Sequence, residues 1–180
     1  MIPDNVIDQT KAASGCATYS FLPGRGNQPK KNHCSVCGAH DLALCSGLSG
    51  EKLIEFGQKS QHKTFQPGQM LFSEYDDANY FYTVVSGEVR LSRMLDDGRR
   101  QITGFKSAGD FLGLSTDKHY TADAEAIDEV TVCQFSVANL NTSLEEINEV
   151  QTRLMEMMRI EVINLQNHML LLGRKTPVEK

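Results

Sequence analysis

The stretch YFYTVVSGEVRLSRMLDDGRRQITGF at residues 80–105 decides the fold. It contains three short runs rich in Val, Ile, Thr and aromatic residues, separated by Gly87 and by Asp96-Asp97-Gly98. Residues of this kind favour strands, and Asp-Gly between two strands is a strong hairpin signal. We therefore predict antiparallel strands here, with Asp96-Asp97-Gly98 as a turn rather than a metal-binding loop.

The same alternation of short strands and turns extends to both sides of this stretch. Further turn signals are Pro67-Gly68 and Gly109-Asp110. Regular short spacing is typical of an antiparallel barrel or sandwich, so residues 48–142 are predicted to form a β-barrel domain. The predicted strands are Gln69–Ser73, Tyr80–Ser86, Glu88–Met94, Arg100–Phe105, Tyr120–Ala126 and Glu129–Phe135.

A short helix is predicted just before the barrel strands. Ser49 is a suitable N-cap residue for it. Its apolar face would consist of Leu53, Ile54 and Phe56.

After the strands, the pattern changes to that of a helix. Ser143 and Glu146 have the spacing of a capping box, and no Pro or Gly follows until Gly173. One long helix is therefore predicted over residues 143–173. Apolar residues at heptad spacing favour a coiled-coil homodimer over simple core filling. This dimer seam consists of Met155, Met158, Val162, Leu165, Met169 and Leu172.

The composition is that of a globular protein with one domain and an appendage. The chain has 180 residues, of which 40% are hydrophobic and 23% are charged. Its 18 Lys+Arg and 23 Asp+Glu give a net charge of −5, which argues against nucleic-acid binding by bulk charge. It has neither an apolar run long enough for a membrane span nor an opening typical of a signal peptide. We therefore expect a cytoplasmic protein.

The cysteines carry the candidate chemistry. Cys34, Cys37 and Cys45 are spaced C-x2-C-x7-C in a predicted flexible arm over residues 1–47, and Cys133 lies in the last predicted strand. Thiolates bind soft metals and iron–sulfur clusters. Three ligands from an arm and one from a barrel would convert metal binding into ordering of the arm.

The spacing by itself leaves alternatives open. The Cys34–Cys37 pair could bind zinc together with His33 or His40, and Cys133 could be a buried small hydrophobic residue. A dithiol oxidoreductase is disfavoured, because no nucleophile, base and acid accompany the pair, so we expect no enzyme. A cluster-free barrel could instead bind a small molecule or haem. The candidate axial ligands, none distinctively spaced, are His33, His40, His62, His119 and His168.

Several stretches resemble the FNR branch of the CRP/FNR family of transcription regulators. The resemblance covers essentially the whole chain. It implies a cyclic-nucleotide-binding-like double-stranded β-helix (jelly-roll) barrel, mainly β with α, followed by a long dimerisation helix. The matching stretches are QITGF at 101–105, AGDFLG at 108–113, Val132-Cys133, LLLGRK at 170–175, Met1-Ile2-Pro3 and Ser14-Gly15-Cys16-Ala17.

The resemblance also implies a function. A 4Fe–4S cluster would be bound by Cys34, Cys37, Cys45 and Cys133, and oxygen would convert it and loosen a homodimer. DNA and RNA polymerase would be partners only of the full-length regulator, and no membrane partner is expected. Cys16 has no place in a four-ligand set and is predicted to be a free thiol.

Three features depart from the family's pattern. Family members carry a winged helix-turn-helix domain, whereas residues 174–180 would form only a hinge to it, so we expect a sensor and dimerisation fragment. Tyr120-Thr121-Ala122 supplies no arginine for a cyclic phosphate, so no cyclic-nucleotide binding is expected. Leu165 is apolar where the best-known members have an acidic residue, which predicts dimerisation that is less sensitive to oxygen.

Overall fold

The computed structural model describes residues 33–115 and 118–174. The predictions for Cys16, for residues 1–32 of the arm and for residues 175–180 of the hinge lie outside the described residues. The side chains of His33, His168 and Leu172 do so as well.

Two antiparallel four-stranded sheets form the centre of the described chain. One has the order β1-β8-β3-β6 and the other β2-β7-β4-β5. The strands are β1 (Ser60–Phe65), β2 (Met70–Phe72), β3 (Tyr80–Ser86), β4 (Val89–Met94), β5 (Arg100–Lys106), β6 (Phe111–Leu112), β7 (Asp123–Ala126) and β8 (Val130–Ser136). The helices are α1 (Gly50–Gln58), α2 (Val137–Glu146) and α3 (Asn148–Arg174). The predicted jelly-roll class with a long C-terminal helix is confirmed.

Strand β8 contributes to two separate cores, because successive side chains of a strand point to opposite faces. Val130 and Val132 belong to the core between the two sheets. Cys133 and Phe135 face the other way, into a second core formed with the helices. The first sheet is therefore covered on both faces, and its outer face carries the candidate site.

The predicted turns are confirmed by their backbone conformation. Gly68, Gly87, Gly98 and Gly109 all have a positive φ. At Gly87 a Cβ atom would lie 2.5 Å from the carbonyl oxygen of Glu129, so that turn requires glycine for both its conformation and its space.

The strand predictions were wrong at three places. β1 was missed because the side chains of residues 61–64 are exposed and mostly polar, which leaves no apolar alternation. β6 was also missed, because its two residues, Phe111 and Leu112, are too few to show an alternating pattern. β7 begins at Asp123 rather than Tyr120, whose buried ring instead stacks on Phe72 at a centroid distance of 3.9 Å.

The single helix predicted over residues 143–173 is in fact two helices. Ile147 leaves the helical conformation, with φ −124° and ψ 95°, and its side chain is buried in the core beside the helices. Ser143 is therefore not a cap: it lies inside α2, where its Oγ donates to the carbonyl oxygen of Asn139 at 2.9 Å. The N-cap of α2 is Ser136, whose side chain accepts from the backbone N–H of Asn139 at 3.1 Å.

The short helix α1 begins after Ser49 as predicted, although Ser49 makes no side-chain capping bond. Leu53 and Phe56 are buried, but Ile54 is 44% exposed, so the predicted apolar face was too wide. No helix in the described part of the chain is both long and apolar enough to cross a membrane.

Candidate metal centre

Residues 34–48, here called the cysteine segment, are packed on the outer face of the first sheet. Residues 34–47, which the sequence analysis assigned to a flexible arm, thus have several buried side chains. The segment winds through short turns, in which the N–H of Cys37 donates to Cys34 O at 3.4 Å and that of Leu48 to Cys45 O at 3.0 Å. The side chains of Ala39 and Leu44 are almost completely buried, which anchors the segment.

The four cysteines predicted as metal ligands border one small cavity of about 20 Å³. Cys34, Cys37 and Cys45 come from the cysteine segment. Cys133 comes from the centre of the first sheet, where it pairs with His62 of β1 on one side and Thr83 of β3 on the other. The fold therefore brings together residues that are up to 99 positions apart in the sequence, between Cys34 and Cys133.

The remaining wall of the cavity is mostly apolar. Phe56 and Phe135 close one side, with ring centroids 4.7 Å apart. The polar lining side chains other than cysteine are His62 and Thr83. An apolar lining excludes water and strengthens any electrostatic interaction inside the cavity.

Burial raises the pKa of three of these thiols. It raises the pKa of Cys45 to about 12, with a smaller contribution from the charges of Cys34 and Cys37. The pKa of Cys133 also rises to about 12, chiefly through burial, although a hydrogen bond with Ser60 opposes the rise. The pKa of Cys34 is raised by burial and then by Cys37. The raised pKa values favour the neutral thiols. A cationic metal group would instead favour the thiolates, because metals bind the deprotonated form.

The donor set fits an iron–sulfur cluster, which commonly takes four cysteine thiolates. Within residues 33–115 and 118–174, no three His, Cys, Asp or Glu side chains are arranged to hold a single metal ion as they stand. The site is thus a thiol-lined cavity rather than a closed coordination sphere.

The histidines fall into different surroundings. His40 lies within hydrogen-bond distance of the carbonyl oxygen of Leu48, at 3.3 Å, and of Asp41. His119 lies 3.4 Å from Asp77 on the surface. Only His62, among the histidines with described side chains, borders the cysteine cavity. Sequence reasoning missed its position because it missed β1.

A second cavity, of about 160 Å³, has Tyr120, Thr121 and Ala122 among its lining residues. Among its described lining residues the cation is Lys106, whose Nζ lies 2.7 Å from the carboxylate of Glu161 on α3. The expectation that the chain binds no cyclic nucleotide stays a prediction.

Comparison with known proteins agrees with this architecture. Residues 62–146 match the cyclic nucleotide-binding domain family. The nitrogen fixation regulation protein FixK of Bradyrhizobium diazoefficiens is 39% identical over 153 residues, which is 85% of this chain and 65% of FixK. The fumarate and nitrate reduction regulatory protein of Escherichia coli is 26% identical over 183 residues, covering 100% of this chain and 68% of that protein.

Solved structures give the same result. FixK2 of Bradyrhizobium japonicum shares 34% identity with a TM-score of 0.59, over 65% of this chain and 59% of that one. The catabolite activator protein of Thermus thermophilus, at 20% identity and a TM-score of 0.62 over 72% of this chain and 62% of that one, shows the shared fold. The barrel is thus a cyclic nucleotide-binding domain in its fold. The chain is similar to transcription regulators of the CRP/FNR family, and it spans 65% of the length of FixK.

The raised thiol pKa values give a test of the cavity in the metal-free protein. Alkylation by iodoacetamide needs the thiolate, so at pH 8 we expect Cys45 and Cys133 to react at least about tenfold more slowly than in the urea-unfolded chain. Their rates should still increase with pH above pH 10. Mass spectrometry of alkylated peptides provides the rates. Equal rates in the folded and unfolded chains would contradict the buried positions.

Proposed function

We propose that this chain is the oxygen-sensing part of a transcription regulator, in which a 4Fe–4S cluster bound by Cys34, Cys37, Cys45 and Cys133 controls homodimerisation. The observation that carries the proposal is that all four thiols border one apolar cavity. When bound, the cluster would supply a redox-reactive group that oxygen converts. DNA binding and contact with RNA polymerase would be functions of the full-length regulator.

The cysteine segment is in direct contact with the proposed dimerisation helix. Leu44 and Leu48 of the segment belong to the same buried cluster as Val150, Leu154 and Met157 of α3. Any rearrangement of the cysteines therefore changes the surface against which α3 packs.

Arg153 provides a second, polar connection. Its Nη2 donates to the carbonyl oxygen of Leu42 at 2.8 Å, and its Nε donates to that of Ala43 at 3.4 Å. Its Nη1 donates to Glu156 on the same helix at 2.6 Å. The guanidinium group thus joins the backbone just before Cys45 to the first turns of α3.

A neighbouring face of α3 carries an exposed apolar stripe, which supports the homodimer. Val162 is 52% exposed and Met169 is 64% exposed. The predicted seam residues with described side chains all lie on the exposed surface: Met155, Met158, Val162, Leu165 and Met169. Exposed apolar stripes of this length mark protein interfaces. A second copy of this chain, with the same stripe, would bury them.

Substitution of the cysteines tests the ligand set. We expect Cys34→Ser, Cys37→Ser, Cys45→Ser and Cys133→Ser each to abolish cluster assembly, because a serine hydroxyl is a poor ligand for the iron of a cluster. Cys16→Ser is the matched control and should bind as much iron and sulfide as the wild type. The measurement is iron and sulfide content after anaerobic reconstitution. Retention of a full cluster by any of the four variants would remove that residue from the set.

Zinc binding is separated from cluster binding in the same experiment. A zinc site would yield a colourless protein that keeps zinc and takes up no sulfide.

Substitution of Arg153 tests the connection to the helix. The quantity to measure is the ratio of the dimer Kd values of the air-exposed and the cluster-loaded protein, by sedimentation equilibrium. In Arg153→Gln we expect this ratio to fall about tenfold, within the usual range of coupling between sites. Arg159→Gln, an exposed arginine on the same helix, should keep the wild-type ratio. If Arg153→Gln leaves the ratio unchanged, Arg153 does not connect the state of the cluster to dimerisation.

A further inference from the structure

The side chain of Thr83 carries a buried hydroxyl group that has no hydrogen-bond partner among the described residues. Thr83 lies on β3, and the residue is 3% exposed. A buried hydroxyl without a partner costs free energy, so such a group in a native structure calls for an explanation.

The position of Thr83 supplies the explanation. Its side chain lines the cysteine cavity, and it stands directly opposite Cys133 in the pairing of β3 with β8. Directly opposed side chains on one face of a sheet lie within contact distance. On its other side Thr83 pairs with Phe111 of β6, which offers no side-chain acceptor.

The other unsatisfied buried atoms do not share this setting. The described residues contain two more, Arg90 Nε and Gln134 Oε1. Neither residue lines the cysteine cavity. Thr83 is therefore distinguished by its location among the thiols as well as by its missing partner.

We infer that the hydroxyl of Thr83 donates a hydrogen bond to a sulfur atom of the metal-bound site, either the Cys133 thiolate or a sulfide of the group that the cysteines bind. This inference rests on the proposed function and adds a positioning residue that is not a metal ligand. A neutral thiol is a weak acceptor, whereas a thiolate or sulfide carries charge and forms a stronger hydrogen bond. The hydroxyl thus gains its partner when the site is filled. Hydrogen bonds to sulfur raise the reduction potential of iron–sulfur clusters and orient their ligands.

The test uses Thr83→Val, which replaces the hydroxyl by a methyl group of similar size. In the cluster-loaded protein we expect a lower reduction potential and at least a tenfold shorter cluster lifetime in air, a loss typical of residues that support metal ligands. Thr83→Ser keeps a hydroxyl and should stay close to the wild type. Thr131→Val is the matched control on β8, because Thr131 lies near Thr64, with their hydroxyl oxygens 3.4 Å apart, and does not line the cavity.

A second measurement, urea unfolding of the metal-free protein, separates this role from a structural one. Since the hydroxyl has no partner there, Thr83→Val should keep or raise the urea midpoint. A clear fall in that midpoint, or a potential and lifetime equal to those of the wild type, would overturn the inference while leaving the cluster in place. If the wild-type protein assembles no cluster, the proposed function fails, and the inference fails with it.

Discussion

The candidate metal centre and its contact with α3 depend on how the cysteine segment packs between the first sheet and α3. Leu44 and Leu48 are almost fully buried there, in one cluster with Phe81 and Phe135 of the sheet and with Leu154 of the helix. Apolar burial of this kind is the main favourable term in folding. In this protein it also determines where the cysteines lie, because the same contacts hold Cys34, Cys37 and Cys45 close to Cys133 on β8.

This arrangement gives the site two properties that oppose each other. The apolar walls make the charged form of each thiol costly, as the raised pKa values of Cys45 and Cys133 show. The same walls strengthen the attraction between thiolates and a cationic metal group once it is present. In the proposed mechanism, filling the site would act on a segment that touches the helix, and this would link the chemistry at the cysteines to dimerisation.

Much of the architecture could be predicted from the sequence, because its signals are local. Asp97-Gly98 and Gly87 mark turns by their conformational needs, and the apolar repeat along residues 155–169 marks an exposed stripe. The break at Ile147 could not be predicted, since it depends on a core that forms only in the folded chain. The spacing of Cys34, Cys37 and Cys45 pointed to a site, but Thr83 and His62 join it only through strand pairing with Cys133. A threonine in a strand carries no sequence signal for such a role.

The most direct test of the central claim measures cluster content and association state together on the wild-type protein. Iron, sulfide and sedimentation would be recorded on one anaerobically reconstituted sample before and after exposure to air. We expect about four iron and four sulfide per chain before exposure to air. In air the cluster should be lost or converted, and the dimer should weaken. A folded protein that takes up no sulfide, or whose dimer is unchanged when a full cluster is destroyed, would contradict the central claim.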